Sequence, residues 1–524
     1  MIRIDLKLPI DYTADTVKEK AAEYIPIKPS EITGLNLLRR TLDLSGGEPC
    51  YKCSVALEVG EEREAGLLKI RNKVFAHSEQ VFRAKSARLS SRPIVVGAGP
   101  AGLFCALALA EAGTRPIILE RGLPVEQRAD KIRIFNTLGI IDTECNVQYG
   151  EGGAGTYSDG KLKVGSMDEY KRRVIKEFIL SGATEDIAYS ATAHLGTDRL
   201  PAIIRSLRER IISLGGEFLF GAKLTDIEIS DKKIRSVKYE SEGVKCELAT
   251  DYLVLATGHS ARDTITMLYN KGLKMTPKGF GVGVRVEHPR EYTNKMVYKS
   301  AYGKIPDTAS YHLVTHLKNG RSVYSFCMCP GGSVVAAANE EGGIVTNGMS
   351  RFDRMADNSN AAILVSITPK DFGSEHALAG LEYQRRIERR AYSLTDNYRA
   401  PSQLMGDFLA NTPSTSLGNT APSYERGVEL IPLREYLPDY ITESLREGIY
   451  DFDRWMEGFN YHDAVLTGPE TRTTSPVRIE RTERGEALGF IGIYPIGEGA
   501  GYAGGIVSSA TDGLRAAEKI LSMK

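Results

Sequence analysis

One stretch constrains the fold of this chain more than any other: VVGAGPAG, residues 95–102. It sets Gly97, Gly99 and Gly102 between the apolar run PIVVG and the helix-forming run PAGLFCALALAEAG, which Gly113 closes; a second apolar run, PIILE, follows. This is a strand–helix–strand unit. The first glycine permits the tight turn, the second lets the backbone approach a pyrophosphate, and the third lets helix and strand pack closely. The first helical turn, with Pro100 and Ala101, offers unpaired N–H groups and a partial positive charge to phosphates. Glu120 ends the second strand, where an acid bonds a ribose hydroxyl and disfavours a 2′-phosphate; Arg121 follows it. An α/β domain with a parallel sheet holding a dinucleotide is the expectation.

Around this motif the chain divides. Residues 1–90 read as a small α+β domain: IRIDLKL, LNLLRRTLDLS and CYKCSVALEV as strands, TADTVKEKAAEYI as a helix. Residues 91–270 form the first part of the nucleotide domain. They include an amphipathic helix over TDRLPAIIRSLRERIISLGG, with Asp198 as its cap, and short strands leading to YLVLATGHS. Residues 271–465 are expected to be a β-rich substrate domain, with a helix near 377–393 and a long ordered loop over 395–425. Residues 466–524 close the nucleotide domain as strand, glycine turn and helix.

The dinucleotide is read as FAD. YLVLATG ends in Ala256-Thr257-Gly258 and resembles the strand and turn that return to the nucleotide in two-dinucleotide-binding flavoproteins. IYPIGEGAGYAGGI resembles the segment that touches the ribityl chain and flavin ring there. In that resemblance Glu498 matches the acid that bonds ribityl hydroxyls, and Gly504-Gly505-Ile506 matches the turn that aims a helix N-terminus at the flavin. Negative charge gathers at that edge on reduction, so a helix N-terminus stabilises it. Gly497, Gly499 and Leu224 are placed beside the cofactor by the same comparison. The loop QYGEGGAGTYSDGKL, residues 148–162, contributes Gly152, Gly153, Gly155, Thr156, Ser158 and Lys161, whose mix of glycine, hydroxyl and ammonium suits an anion-binding loop.

EGGAGTYSDGKL, KGFGVGVRVEHP, VYSFCMCPGGSV, TNGMS, ETRTTSPVRI and YPIGEGAGYAGGIVSSATDG together resemble one family, the bacterial FAD-dependent dehydrogenases described as NAD(FAD)-utilising dehydrogenases. The resemblance runs from about residue 90 to the end. It implies a glutathione-reductase-type FAD domain, interrupted by a substrate domain and preceded by a small N-terminal domain. It implies no particular substrate.

Apart from the glycine turn of the closing segment, no second G-x-G-x-x-G lies between a strand and a helix, so NAD(P)H, if used, would be a transient electron donor. In GFGVGVRVEH, alternation puts Phe280, Val282, Val284 and Val286 on one face and Gly281, Gly283, Arg285 and Glu287 on the other. Two glycines beside a guanidinium suit either a large ligand or the backbone of another sheet. Asn319-Gly320 predicts a two-residue hairpin that pairs Lys318 with Arg321, His316 with Val323, Val314 with Ser325 and His312 with Cys327. Cys327 and Cys329 then share a face with His312, opposite an apolar face of Tyr324, Phe326 and Met328. Such a pair could hold a reactive thiolate, or could be buried small residues beside a structural histidine. Cys327, His312 and Arg285 are the catalytic candidates. His259, after the ATG turn, could approach the nucleotide or simply cap the turn; Arg472, Arg478 and Tyr494, just before the closing segment, are further candidates to line the cavity.

Charge balance limits the partners. The 67 basic and 67 acidic side chains cancel, so no global field draws the chain to nucleic acid or to an anionic membrane. No run approaches a membrane span, seven scattered cysteines suggest no disulfide framework, and no metal-ligating constellation is present. A cytoplasmic FAD-dependent oxidoreductase acting on a small molecule is the leading expectation. An RNA-modifying or RNA-binding flavoprotein, using the basic 71–92 stretch, and a flavin redox sensor are the alternatives.

Overall fold

The computed structural model describes residues 1–522, which gather into two compact units. The first comprises Met1–Phe82, Lys161–His194 and Tyr298–Asp307. Within Met1–Phe82 the strands Ile2–Pro9, Gly34–Asp43, Cys50–Glu58 and Phe75–Ala76 and the helices Ala14–Tyr24 and Glu61–Leu67 follow the order β-α-β-β-α-β; the segment Lys161–His194 adds the helix Glu169–Leu180. The sheet order is second, third, first, fourth, as in a split β-α-β domain. Alternation decides the faces. Ile2, Ile4, Leu6 and Leu8 are buried against Val17 and Ala21 of the first helix, while Asp5 and Lys7 face outward. The Thr13 hydroxyl accepts from the Thr16 N–H and caps that helix.

The second unit comprises Arg83–Gly160, Leu195–Val297 and Thr308–Lys524. Its parallel sheet has the strand order Glu217–Leu219, Ile117–Leu119, Ile94–Val96, Leu253–Leu255, Ile493–Pro495. In chain order this is 3-2-1-4-5, the doubly wound arrangement whose ligand crevice opens at the carboxyl edge where the order reverses. The helix Pro100–Glu111 is apolar nearly all round, as expected of a helix packed on several sides, and ten of its twelve residues are buried. It packs against the closing helix Ile506–Leu521. An antiparallel meander of Ala222–Ser230, Lys233–Ser241 and Val244–Ala249 precedes the strand Leu253–Leu255.

The rest of this unit is built on a seven-stranded sheet in the order Val314–His316, Ser322–Cys329, Asn358–Ile367, Phe280–Pro289, Val465–Glu470, Ala400–Leu404, Val428–Leu430. Phe280, Val282, Val284 and Val286 form one apolar face, packed in a core with the helices Ala379–Tyr392 and Asp439–Trp455. Each such side chain contributes about 1.5–3 kcal/mol by leaving water. A ribbon of Gly332–Ala336 and Thr346–Ser350 runs alongside the sheet.

Several expectations are corrected. Asp198 is not the cap of its helix, which begins at Leu200; its carboxylate accepts instead from the Phe352 N–H at 2.7 Å. The stretch 395–425 is not all loop, because it contains the strand Ala400–Leu404 and the helix Met405–Leu409. The hairpin at Asn319-Gly320 is one residue out of the expected register: Val314 pairs with Tyr324, Thr315 with Val323, and His316 with Ser322. Leu317 donates to Arg321 and Gly320 takes a left-handed φ of 82°, the signature of a three-residue loop rather than a two-residue one. The slip exchanges the faces, so Val323 and Ser325 are buried while Phe326 is exposed. No helix among the described residues is long and apolar enough to cross a membrane.

Candidate functional site

Four glycine-bearing segments meet at the carboxyl edge of the parallel sheet. The turn after Ile94–Val96 comes first. Gly97 has φ 103°, and a Cβ there would strike the Ala256 carbonyl oxygen. A Cβ on Gly102 would strike the Gly97 oxygen, which is why helix and strand can cross so closely. The loop 148–156 is second: Gly152 N–H donates to the Ala98 carbonyl at 2.8 Å, and a Cβ on Gly153 would stand 3.1 Å from the Gly99 Cα. Third is Ala256-Thr257-Gly258. Fourth is the closing segment, where a Cβ on Gly499 would collide with the Gly258 carbonyl, one on Gly497 would stand 2.8 Å from the Ala101 Cβ, and Ile506 lies within 3.5 Å of a Cβ on Gly155.

Glu120 ties the first two segments together. One carboxylate oxygen accepts from the Gly122 and Gly150 N–H groups at 2.9 and 3.0 Å, and the other accepts from Ala98 at 2.8 Å. A carboxylate has about four acceptor sites, so one remains for a ribose hydroxyl. Arg121 is held by Glu144 and Asp263 and lies 4.2 Å from the Tyr149 ring, which places a fixed positive charge at the same edge. Those carboxylates hold its pKa above the usual guanidinium range.

The residues fit a bound dinucleotide. Neither the helix starting at Pro100 nor the one starting at Ile506 has a side-chain cap, so their first N–H groups face the crevice unclaimed by side chains. A Cβ on Gly258, Gly504 or Gly505 would meet nothing within 4 Å, which is open room at three points of the same edge. Beside them, His259 Nδ1 lies 3.3 Å from Glu498 Oε1, and His259 Nε2 is buried with no partner.

Other expected cofactor contacts are placed less directly. Thr156 is buried, and its carbonyl accepts from the Thr197 hydroxyl. Ser158 donates to the Gly155 carbonyl and so shapes the loop. Leu224, in the meander strand Ala222–Ser230, is buried in a core shared with Ile94 and Leu119 of the parallel sheet. Lys161 falls in the first unit, where it pairs with His194 in an isolated bridge.

The catalytic candidates separate. Because of the register, His312 lies outside the strand pairing and is exposed, not opposite Cys327. Cys327 is half-buried in a bulge with a left-handed φ of 42°, and Cys329 is fully buried. Arg285 is fully buried and spends all five N–H groups on protein: Glu470 twice, the Cys327 carbonyl at 2.9 Å, Asn360 at 3.1 Å and Asn347 at 2.9 Å. It has no donor left for a substrate. The close approach at Gly281 and Gly283 is likewise to protein, namely Tyr324 and the Ile363 carbonyl. Glu470 is pushed up to about 6 by burial, against the pull of Arg285.

Arg472 and Arg262 clamp the buried Glu388 from two sides, holding its carboxyl well below the usual range against burial; Arg472 also bonds Asn339. Arg478 lies 5.1 Å from the Tyr502 ring, and Tyr494 is buried in its strand. One residue escaped the sequence reading. Arg128, in the helix Val125–Leu138, is fully buried and donates to the carbonyls of Asn146, Val147, Gly150, Glu151 and Gly153. No local signal marks an arginine inside a helix as the clamp of a loop twenty residues away.

A FAD binding domain family matches residues 91–272, and a family described as FAD-dependent protein, C-terminal domain-like, matches residues 279–473. A protein of Clostridium beijerinckii (strain ATCC 51743 / NCIMB 8052), described as an uncharacterized protein, is 42% identical over 529 residues, spanning 99% of this chain and 98% of its own. Among solved structures, a 3-ketosteroid-delta4-(5alpha)-dehydrogenase from Rhodococcus jostii RHA1 has 12% identity and a TM-score of 0.36, covering 84% of this chain and 100% of its own. The E. coli quinol fumarate reductase subunit FrdA has 13% identity and a TM-score of 0.34, with coverage of 84% and 70%.

Proposed function

The chain belongs to the family of FAD-dependent proteins that join a FAD binding domain to this C-terminal domain, and from that premise we propose that it is an oxidoreductase acting on a small molecule. It is a FAD-binding flavoprotein with a Rossmann-like parallel sheet and additional β-rich sheets. The finer reading is a glutathione-reductase-type FAD domain, with residues 271–465 as an inserted substrate domain and 1–90 as a separate N-terminal domain. NAD(P)H serves as a transient donor in this reading: the two G-x-G-x-x-G runs between a strand and a helix, Gly97–Gly102 and Gly499–Gly504, both belong to the one parallel sheet of the FAD domain, so neither marks a second nucleotide domain.

One observation carries the proposal: four remote glycine segments and two uncapped helix N-termini converge on one sheet edge. When bound, the flavin supplies hydride transfer at its N5. The chain supplies the rest. The N–H groups around Gly99–Gly102 hold the pyrophosphate, Glu120 receives a ribose hydroxyl, and the helix dipole at Ile506 favours the reduced, anionic ring. Cys327 is the substrate-side candidate supported by a half-buried thiol on strained backbone. Arg285 acts through it as a positioning residue by holding its carbonyl. The chain, purified and given excess FAD, is expected to retain a flavin absorbance band after desalting and to lose it under anaerobic NADH or NADPH. A desalted protein without that band overturns the reading; a band that neither nucleotide bleaches removes the NAD(P)H link.

A further inference from the structure

Resting on the FAD reading above, we infer that His259 is a cofactor-binding residue: its Nδ1 orients Glu498 while its Nε2 takes a hydrogen bond from the flavin half of the dinucleotide. Strand order locates that half. Glu120 ends the strand Ile117–Leu119, on one side of the central strand Ile94–Val96, and the ribose-binding acid fixes the adenosine end there. A dinucleotide crossing Gly99 must continue over the strands on the other side, Leu253–Leu255 and Ile493–Pro495. His259 and Glu498 follow those two strands, and their turns touch, since Gly499 abuts the Gly258 backbone.

The chemistry of the pair is specific. His259 Nδ1 is 3.3 Å from Glu498 Oε1, and the ring is only 12% exposed. With the Nδ1 proton turned to the carboxylate, Nε2 is a bare acceptor. It is buried with no protein partner, a state that is costly unless something else supplies a donor. The hydroxyl groups of a flavin's polyol chain are donors of that kind, and Glu498 beside the ring can accept a second one. The neighbouring Lys278, hydrogen-bonded to Thr474 at 3.0 Å, adds a cation facing Glu498. The site therefore reads a polyol, not a phosphate: it presents a carboxylate oxygen and a bare ring nitrogen side by side.

Two probes divide the cofactor. ADP carries the adenosine half only, and FAD carries both. Titration of the full-length apoprotein with each is expected to show that His259→Ala raises the Kd for FAD about tenfold, the worth of a buried hydrogen bond at the upper end of the neutral range. The Kd for ADP should change less than about twofold. His259→Asn, which keeps a donor toward Glu498 but lacks the distal nitrogen, should fall between the two for FAD. Circular dichroism of each apo variant checks folding. The proposal is overturned if His259→Ala binds FAD as wild type does, or if FAD and ADP weaken together, which would mark a structural role. A wild-type chain that binds ADP but not FAD would sink the flavin reading itself, a result seen before any variant is compared.

Discussion

Arg128 donates a 2.9 Å hydrogen bond to the carbonyl of Gly153 from a guanidinium with no solvent exposure. Four more carbonyls of the same loop share that side chain, so one residue sets the shape of the segment that faces Gly99. Arg128→Met should take a donor from five carbonyls, of which Gly150, Glu151 and Gly153 keep a second one, and cost about 3 kcal/mol or more. Arg128→Lys keeps the charge but lacks the planar fork, and should recover only part of this. Denaturant unfolding of the apoprotein gives the stabilities. FAD titration should show the loop's loss as weaker binding in both variants.

Gly99 and Gly102 are three residues apart yet should respond differently to alanine. A Cβ on Gly99 meets only the Gly153 Cα at 3.8 Å, so Gly99→Ala should fold with near-normal stability and lose FAD affinity by crowding the pyrophosphate. Gly102→Ala drives a methyl group into the Gly97 carbonyl and should cost about 1–3 kcal/mol before any ligand is added. Thermal melts of the two apoproteins, followed by FAD titration, separate the cases. Equal melts would contradict the crossing seen here.

Arg285 and Glu470 should behave as one unit. Removing either partner alone leaves a buried charge and should cost about 3–5 kcal/mol. The double variant Arg285→Met/Glu470→Leu should lose less than the two single losses combined, because no lone charge remains. A double-mutant cycle by urea unfolding measures the coupling, and strictly additive losses would show that the pair is not coupled.

His288 should make stability depend on pH. Burial lowers its pKa from 6.5 to about 4, and its Nε2 bonds the Phe459 carbonyl at 2.8 Å. At pH 7 the ring is neutral in both folded and unfolded chains. As pH falls through 6.5 the unfolded chain takes up a proton that the folded chain refuses, so stability declines until about pH 4. The span is worth about 3 kcal/mol at this one site. His288→Gln keeps a donor for the carbonyl and should flatten the slope between pH 6.5 and 4 relative to wild type. An unchanged slope would assign the acid sensitivity to other groups.

Much of the nucleotide domain could be read before any coordinates, because its signals are local. The glycine spacing at Gly97–Gly102, the strand-ending Glu120 and the closing turn at Gly504–Gly505 each act within a few residues of chain. The alternation in IRIDLKL assigned the buried face correctly for the same reason, since a pleat repeats every two residues, and in GFGVGVRV it separated the apolar face from the polar one, although both are buried. Local signals also failed locally. Asn319-Gly320 marked the hairpin, yet not whether its loop held two residues or three, and that single residue moved His312 away from Cys327.

The amino-acid sequence by itself determined the kind of ligand, through turn chemistry and periodicity that need no distant partner. Only the tertiary structure decided which charges serve it. Arg285 was a candidate for the substrate until Glu470, 185 residues on, was found to hold it. Arg128, Glu388 and the His259–Glu498 pair likewise acquire their roles from partners remote in sequence. A buried charge must find its counter-charge or hydrogen-bond partners wherever packing brings them, and spacing along the chain does not encode that meeting.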